Sequence, residues 1–268
     1  MKVVIFCGGL GVRMGEETKR IPKPMITIGG KPILWHIMDY YASWGHTEFI
    51  LCLGYKGEVI KEYFLSYNEA LFNDFVLEHD GRGSTVELLS PERPKWRITF
   101  ADTGISTTIG GRLKAVRSYV GEETEFLATY GDALTDVRLP QLIETFHASG
   151  RTAIFLSVRP EIYSHLVTHD DDGVVLTVEE MRHSEVRING GFFVFKHEIF
   201  DFIEPGDDLV DAPFSRLMER RELVAYPYEG FFGPMDTIKD RQRLEGLYEA
   251  GAAPWLRSES HDAIDRRR

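Results

Sequence analysis

Through its first half the chain alternates short β-branched runs with stretches of helical period, and few architectures accept that order. The segment "KVVIFC" (2–7) is almost wholly apolar, as a strand buried on both faces must be. "PILWHIMDYYASWG" (32–45) then reads as a helix, with proline at its start and glycine at its end. "EFILCLGY" (48–55), "GEVIKEYFLSY" (57–67), "RITFAD" (97–102), "GGRLKAVRSYV" (110–120) and "EFLATYGDA" (125–133) continue the strand–helix alternation. Such alternation predicts an α/β fold, a Rossmann-like, mostly parallel sheet covered by helices on both faces.

The second half is richer in strands: "TAIFLSV" (152–158), "HLVTHD" (165–170), "GVVLTVEE" (173–180) and "GGFFVFK" (190–196), with "DDDG" (170–173) as a hairpin turn. Helices are predicted around 197–203, 213–221 and 236–250. No internal repeat and no Pro-, Gly- or Ser-rich linker divides the chain, so residues 1–256 read as one domain. The polar, aperiodic "RSESHDAIDRRR" (257–268) reads as a disordered tail.

Composition narrows the partners. A net charge of −11 argues against nucleic acid, whose phosphates are bound by clustered Lys and Arg. Hydrophobic residues make up 43% of the chain, enough for a sizeable core, yet no run of about 20 apolar residues could span a membrane. The apolar part of the N-terminus is too short for a signal peptide, which predicts a cytoplasmic protein. Cys7 and Cys52 lie in strand-like runs and read as small buried hydrophobes. The nine histidines show no metal-ligand spacing, and no G-x-S-x-G elbow accompanies them.

The chemistry-bearing feature comes directly after the first strand. In "GGLGVRM" (8–14) three glycines let backbone N–H groups approach an anion, and Arg13 offers a planar fork for phosphate oxygens. In "PKPM" (22–25) Lys23 stands between two prolines that restrict its backbone. A dinucleotide fingerprint starting at Gly9 would need its third glycine at Met14, and "GGKP" (29–32) puts Pro32 where a P-loop needs Ser or Thr. Both of those phosphate-loop readings fail on specific residues.

The ordered blocks "GGLGVR", "KPM", "GGKPILWHIM", "GYKGEVIKEYF", "DTG", "GGRLK", "YGDA", "INGGFFVF", "GPMDT" and "LEGLYEAGAAPW" resemble the sugar-1-phosphate nucleotidylyltransferases, and among them those that use CTP and glucose 1-phosphate. The resemblance runs from residue 1 to about 256 and is weakest at about 67–96 and 157–187. It implies a nucleotidyltransferase, GT-A-like fold, a homo-oligomer, and Mg²⁺-dependent transfer of CMP from CTP to a hexose 1-phosphate. It further implies that Gly8, Gly9, Leu10, Gly11, Thr107, Arg112 and Gly131 contact the nucleotide. Arg13 and Lys23 would stabilise the reacting phosphates, Asp132 and Asp236 would hold the metal, and Asn189 and Gly190 would meet the sugar. Read without the resemblance, Asp132 is a turn residue, Asp236 is an N-cap for the last helix, and Arg112 is a helix-surface cation.

Two positions depart from the family. Val12 stands where a threonine is usual, and Glu180 falls where a lysine would meet the acceptor phosphate. A carboxylate there repels a phosphate, so either Arg182 or Arg187 supplies the cation or the acceptor differs from glucose 1-phosphate. Other nucleotides such as UTP or dTTP, and a nucleotide-sensing regulatory subunit without turnover, are the remaining readings.

Overall fold

The computed structural model describes residues 1–9, 11, 14–71, 73–89, 95–160, 165–181 and 184–256. The predicted tail at 257–268 lies outside them. Among the described residues eight strands form the central sheet: β1 (Val3–Phe6), β2 (Glu48–Leu53), β3 (Arg97–Asp102), β4 (Glu125–Tyr130), β5 (Ala153–Val158), β6 (Ile188–Asn189), β7 (Phe193–Lys196) and β8 (Leu223–Tyr228). Their order across the sheet is β8–β5–β7–β4–β1–β2–β3, with β6 extending β7 along the same edge of β5. β1, β2, β3 and β4 run parallel, as do β5 and β8, whereas β7 is antiparallel to both of its neighbours.

Side chains alternate across this sheet and build a core on each face. Val3, Ile5 and Cys7 point into one cluster with Leu51, Leu53, Leu127 and the helices α1 (Ile33–Ser43) and α4 (Leu139–Ser149). Val4 and Phe6 point into the other with Ile50, Cys52, Phe126, Phe193 and Phe195. That second face is covered by α3 (Ile109–Ala115) and α5 (Ala212–Glu219), while α2 (Gly57–Leu65) comes after β2. Both cysteines are buried, as small hydrophobes in strands should be.

The sequence pattern located six of the eight sheet strands. It missed β6, which is only two residues long, and β8, "LVAYPY". Pro227 is a poor ladder member and is accommodated because β8 pairs on one side only. The pattern also missed the outlying hairpin of Phe75–His79 with Ser84–Leu88, where nearly every residue is exposed and little periodicity survives. The helix read at 110–120 breaks at Val116 into Ile109–Ala115 and Arg117–Val120.

The last helix, α6 (Ile238–Glu249), starts one residue later than the bare reading of Asp236 as its cap requires. Thr237 is the cap: its hydroxyl accepts the Asp240 N–H, and the Asp240 carboxylate accepts the Thr237 N–H in return. Capping therefore falls to Thr237 and not to Asp236. Replacing Thr237 with Ala should lower stability by about 1 kcal/mol in a urea titration. Asp236→Asn should leave the midpoint nearly unchanged.

Candidate active site

β1 sits between β2 and β4, and the chain fills the β2–β3 side before crossing to β4. This reversal opens a crevice beyond the carboxyl ends of β1 and β4. A cavity of ≈ 410 Å³ occupies it, lined by Phe6 at the end of β1 with Cys7, Gly9 and Gly11 beyond it, Tyr130 at the end of β4 with Gly131 and Asp132 beyond it, and Lys23, Pro24, Ile109 and Asp236. Two of its glycines are there for reasons of space. Gly11 has φ +62°, and a Cβ on it would come 2.9 Å from the Thr18 methyl. A Cβ on Gly131 would fall 3.0 Å from the Phe6 carbonyl.

Three chain segments deliver the charged groups. Lys23 opens a single 3-10 turn, Lys23–Met25, closed by the Met25 N–H donating to the Pro22 carbonyl at 2.8 Å. Asp132 comes directly after β4. Asp236 arrives through a short antiparallel ladder in which Pro234 stands opposite Ala133, and the Met235 N–H donates to the Asp132 carbonyl at 2.9 Å. Segments far apart in the chain are thus zipped together by backbone hydrogen bonds.

The Lys23 ammonium donates to Asp132 Oδ2 at 2.6 Å and to Asp236 Oδ1 at 2.5 Å. Lys23 is only 8% exposed. Burial favours its neutral amine, but the two carboxylates outweigh that effect and hold its pKa above the ordinary lysine value. The lysine is therefore a fixed cation at neutral pH, and the three groups together carry one net negative charge.

Arg112 is placed differently from the sequence expectation. It is 2% exposed and does not line the cavity. Its guanidinium donates to the carbonyls of Gly8 at 3.1 Å, Leu53 at 3.1 Å and Ile105 at 3.2 Å, and to the Thr103 hydroxyl at 2.7 Å. It lies beneath the glycine loop and ties that loop to the ends of β2 and β3. Gly8 is bound to this arrangement, since a Cβ there would fall 2.0 Å from the Arg112 Nη1.

Other expected contacts also stop short of the cavity. Thr107 donates its hydroxyl to the Thr103 carbonyl at 2.5 Å. Gly190 packs under the Leu156 carbonyl, and the Asn189 side chain is held by Gly191 and Tyr130. The Arg187 guanidinium is paired with Glu229 and donates to the carbonyls of Ser157 and Tyr228. Leu10, Val12, Arg13 and Arg182 lie outside the described residues. Tyr130, Ile109, Pro24 and Cys7 line the cavity without having been singled out, although Tyr130 and Pro24 adjoin motif residues.

The nucleotidyl transferase family model matches residues 2–226. The chain belongs to that family. A glucose-1-phosphate cytidylyltransferase of Salmonella typhi is 41% identical to this nucleotidyl transferase over 256 residues, 95% of this chain and 98% of the relative. A D-glycero-alpha-D-manno-heptose 1-phosphate guanylyltransferase of Aneurinibacillus thermoaerophilus is 29% identical over 205 residues, 75% of this chain and 77% of its own. Among solved structures, UTP-bound UGPase from Acinetobacter baumannii superposes with a TM-score of 0.66 at 18% identity, covering 92% of each chain. That last likeness is one of fold alone.

Arg112→Met would remove four hydrogen bonds from acceptors in this nucleotidyl transferase, three of them buried. The expected loss is about 2–4 kcal/mol of stability, read by urea unfolding, together with weaker nucleotide binding by calorimetry. An unchanged midpoint would remove Arg112 from its bracing role.

Proposed function

We propose that this chain transfers CMP from CTP to glucose 1-phosphate, releasing pyrophosphate and forming CDP-glucose. A phosphate oxygen of the sugar phosphate attacks the α-phosphorus, a new P–O bond forms, and the bond to pyrophosphate breaks. That oxygen is already ionised at neutral pH, so no general base is required. The observation that carries the reading is Lys23 fixed between Asp132 and Asp236 in a glycine-lined cavity at the sheet's switch point. The 41% identity to a glucose-1-phosphate cytidylyltransferase over nearly the whole chain supports the choice of CTP and glucose 1-phosphate.

Nucleotidyl transfer spreads negative charge over the equatorial oxygens of the reacting phosphorus, and fixed cations stabilise it by position. Lys23 supplies such a cation, with little reorganisation because its turn is rigid. Gly9 and Gly11 leave room for phosphates against the backbone. Arg13 would grip the triphosphate.

Asp132 and Asp236 suit a divalent cation, since the pair already converges on one positive group. Among the described residues no cluster of three or more His, Cys, Asp or Glu could hold a metal. Two carboxylates, with water and substrate phosphates for the remaining positions, match what Mg²⁺ takes. When bound, Mg²⁺ supplies neutralisation of the triphosphate charge.

No helix among the described residues is long and apolar enough to cross a membrane. The proposed enzyme is cytoplasmic and self-associates. Leu176 and Val178, exposed on the outlying hairpin of His165–His169 with Val175–Glu180, support the self-association, which sedimentation would measure.

Pyrophosphate release with Mg²⁺, across CTP, UTP, dTTP and GTP and a panel of sugar phosphates, tests the reading. A better acceptor than glucose 1-phosphate would trace the difference to Glu180, and no turnover with any pair would leave a nucleotide-sensing role. Asp132→Asn and Asp236→Asn should each lower kcat by about 100-fold or more while the unfolding midpoint holds. Lys23→Ala should lower kcat more than it raises the KM for CTP, because its charge is met most fully in the transition state. A purely raised KM would assign Lys23 to ground-state binding.

A further inference from the structure

Tyr130 is the last residue of β4, lines the cavity, and precedes Asp132 by two positions. Its ring is held from several sides. Phe6 and Phe193 pack against it at centroid distances of 6.1 and 5.6 Å. Gly191, at φ +75°, leaves the remaining space, and a Cβ there would come 2.8 Å from the Tyr130 ring. The hydroxyl is held too, by the Asn189 amide at 3.2 Å.

The direction of that hydrogen bond is set by its neighbour. The Gly191 N–H can only donate, and it meets the other end of the same amide at 2.8 Å, so that end is the carbonyl oxygen Oδ1. The amide nitrogen Nδ2 must therefore face Tyr130, and it can only donate as well. The tyrosine oxygen accepts, which leaves its own proton for another partner. Among the described residues no acceptor takes that proton.

We propose that Tyr130 is a specificity-determining residue whose hydroxyl donates to an oxygen of the acceptor's hexose, and that Asn189 is a positioning residue that aims it. The proposal rests on the transferase reading above. The hydroxyl meets Asn189, in the segment that leads into β7, whereas Gly9 and Gly11 of the cavity come after β1. A single neutral donor suits a sugar hydroxyl or ring oxygen, whereas the fixed cation and the glycine backbone lie with the phosphates.

Steady-state kinetics with CTP and glucose 1-phosphate test the idea. Tyr130→Phe keeps the ring and deletes the donor; the KM for glucose 1-phosphate should rise about tenfold while the KM for CTP stays within about twofold. Asn189→Asp still accepts the Gly191 N–H but turns its second oxygen toward Tyr130, so the tyrosine proton is diverted from the substrate. It should reproduce the Tyr130→Phe defect, and adding it to Tyr130→Phe should cause little further loss. That double variant separates diversion of the proton from repulsion of the acceptor phosphate by the new charge, because repulsion would persist in it. An unchanged acceptor KM in Tyr130→Phe, or a change confined to CTP, overturns the role of Tyr130. Defects that multiply in the double variant overturn the positioning role of Asn189. Wild-type protein inactive with every nucleotide and sugar phosphate would instead overturn the transferase reading, and this proposal with it.

Discussion

One ammonium holds the site in its present shape. Asp132 and Asp236 carry like charges toward the same point, and at about 4 Å near a protein surface their repulsion would be on the order of 4 kcal/mol. Lys23 relieves that repulsion by bonding both. The backbone then explains why the three meet at all. Pro22 and Pro24 restrict the turn that carries Lys23, and the ladder from Ala133 to Pro234 sets Asp236 beside Asp132. In the proposed reaction Asp132 and Asp236 would hold a divalent cation, which would supply neutralisation of phosphate charge, and Lys23 would remain the chain's own fixed positive group.

A second buried cation does different work. Arg112 has four hydrogen bonds to acceptors from the ends of β1, β2 and β3, so it fixes where the glycine loop begins. Burial lowers the pKa of its guanidinium, yet an arginine remains charged at any ordinary pH. The contrast with Lys23 is one of aim. The flexible lysine stem reaches into the cavity, whereas the planar arginine fork gathers carbonyls from three strand ends.

How much of this was legible in the sequence depended on range. "KVVIFC" declares a strand buried on both faces, because each of its alternating sides is apolar, and β1 has that position. "PKPM" declares a restrained lysine. The partner of that lysine was not legible from local pattern, since "PMDT" reads equally well as a helix cap. Only the ladder between residues 133–135 and 232–234, three residues long on each side, decides between cap and site. The resemblance bridged that gap for Asp236. It did less for Arg112, whose residue type fits both an anion contact and a brace, and for β8, whose proline hides a parallel edge strand.

The antiparallel strand β7 explains why the second half of the site lies where it does. Ligands in a parallel sheet meet only the residues that come after each strand, because every carboxyl end points the same way. β7 enters beside β4 in the opposite sense, with Phe193 paired to Ala128, so the residues preceding β7 arrive at the carboxyl end of β4. Asn189, Gly190 and Gly191 are those residues, and Gly191 with φ +75° and Phe192 with φ 48° make the bend that turns the chain from β6 into β7. A parallel strand at this position would have brought Asn189 to the far edge of the sheet, about 20 Å from Tyr130 along a strand of six residues. The residues that precede β7 thus bring Asn189 to the hydroxyl of Tyr130, two positions before the Asp132 that comes after β4.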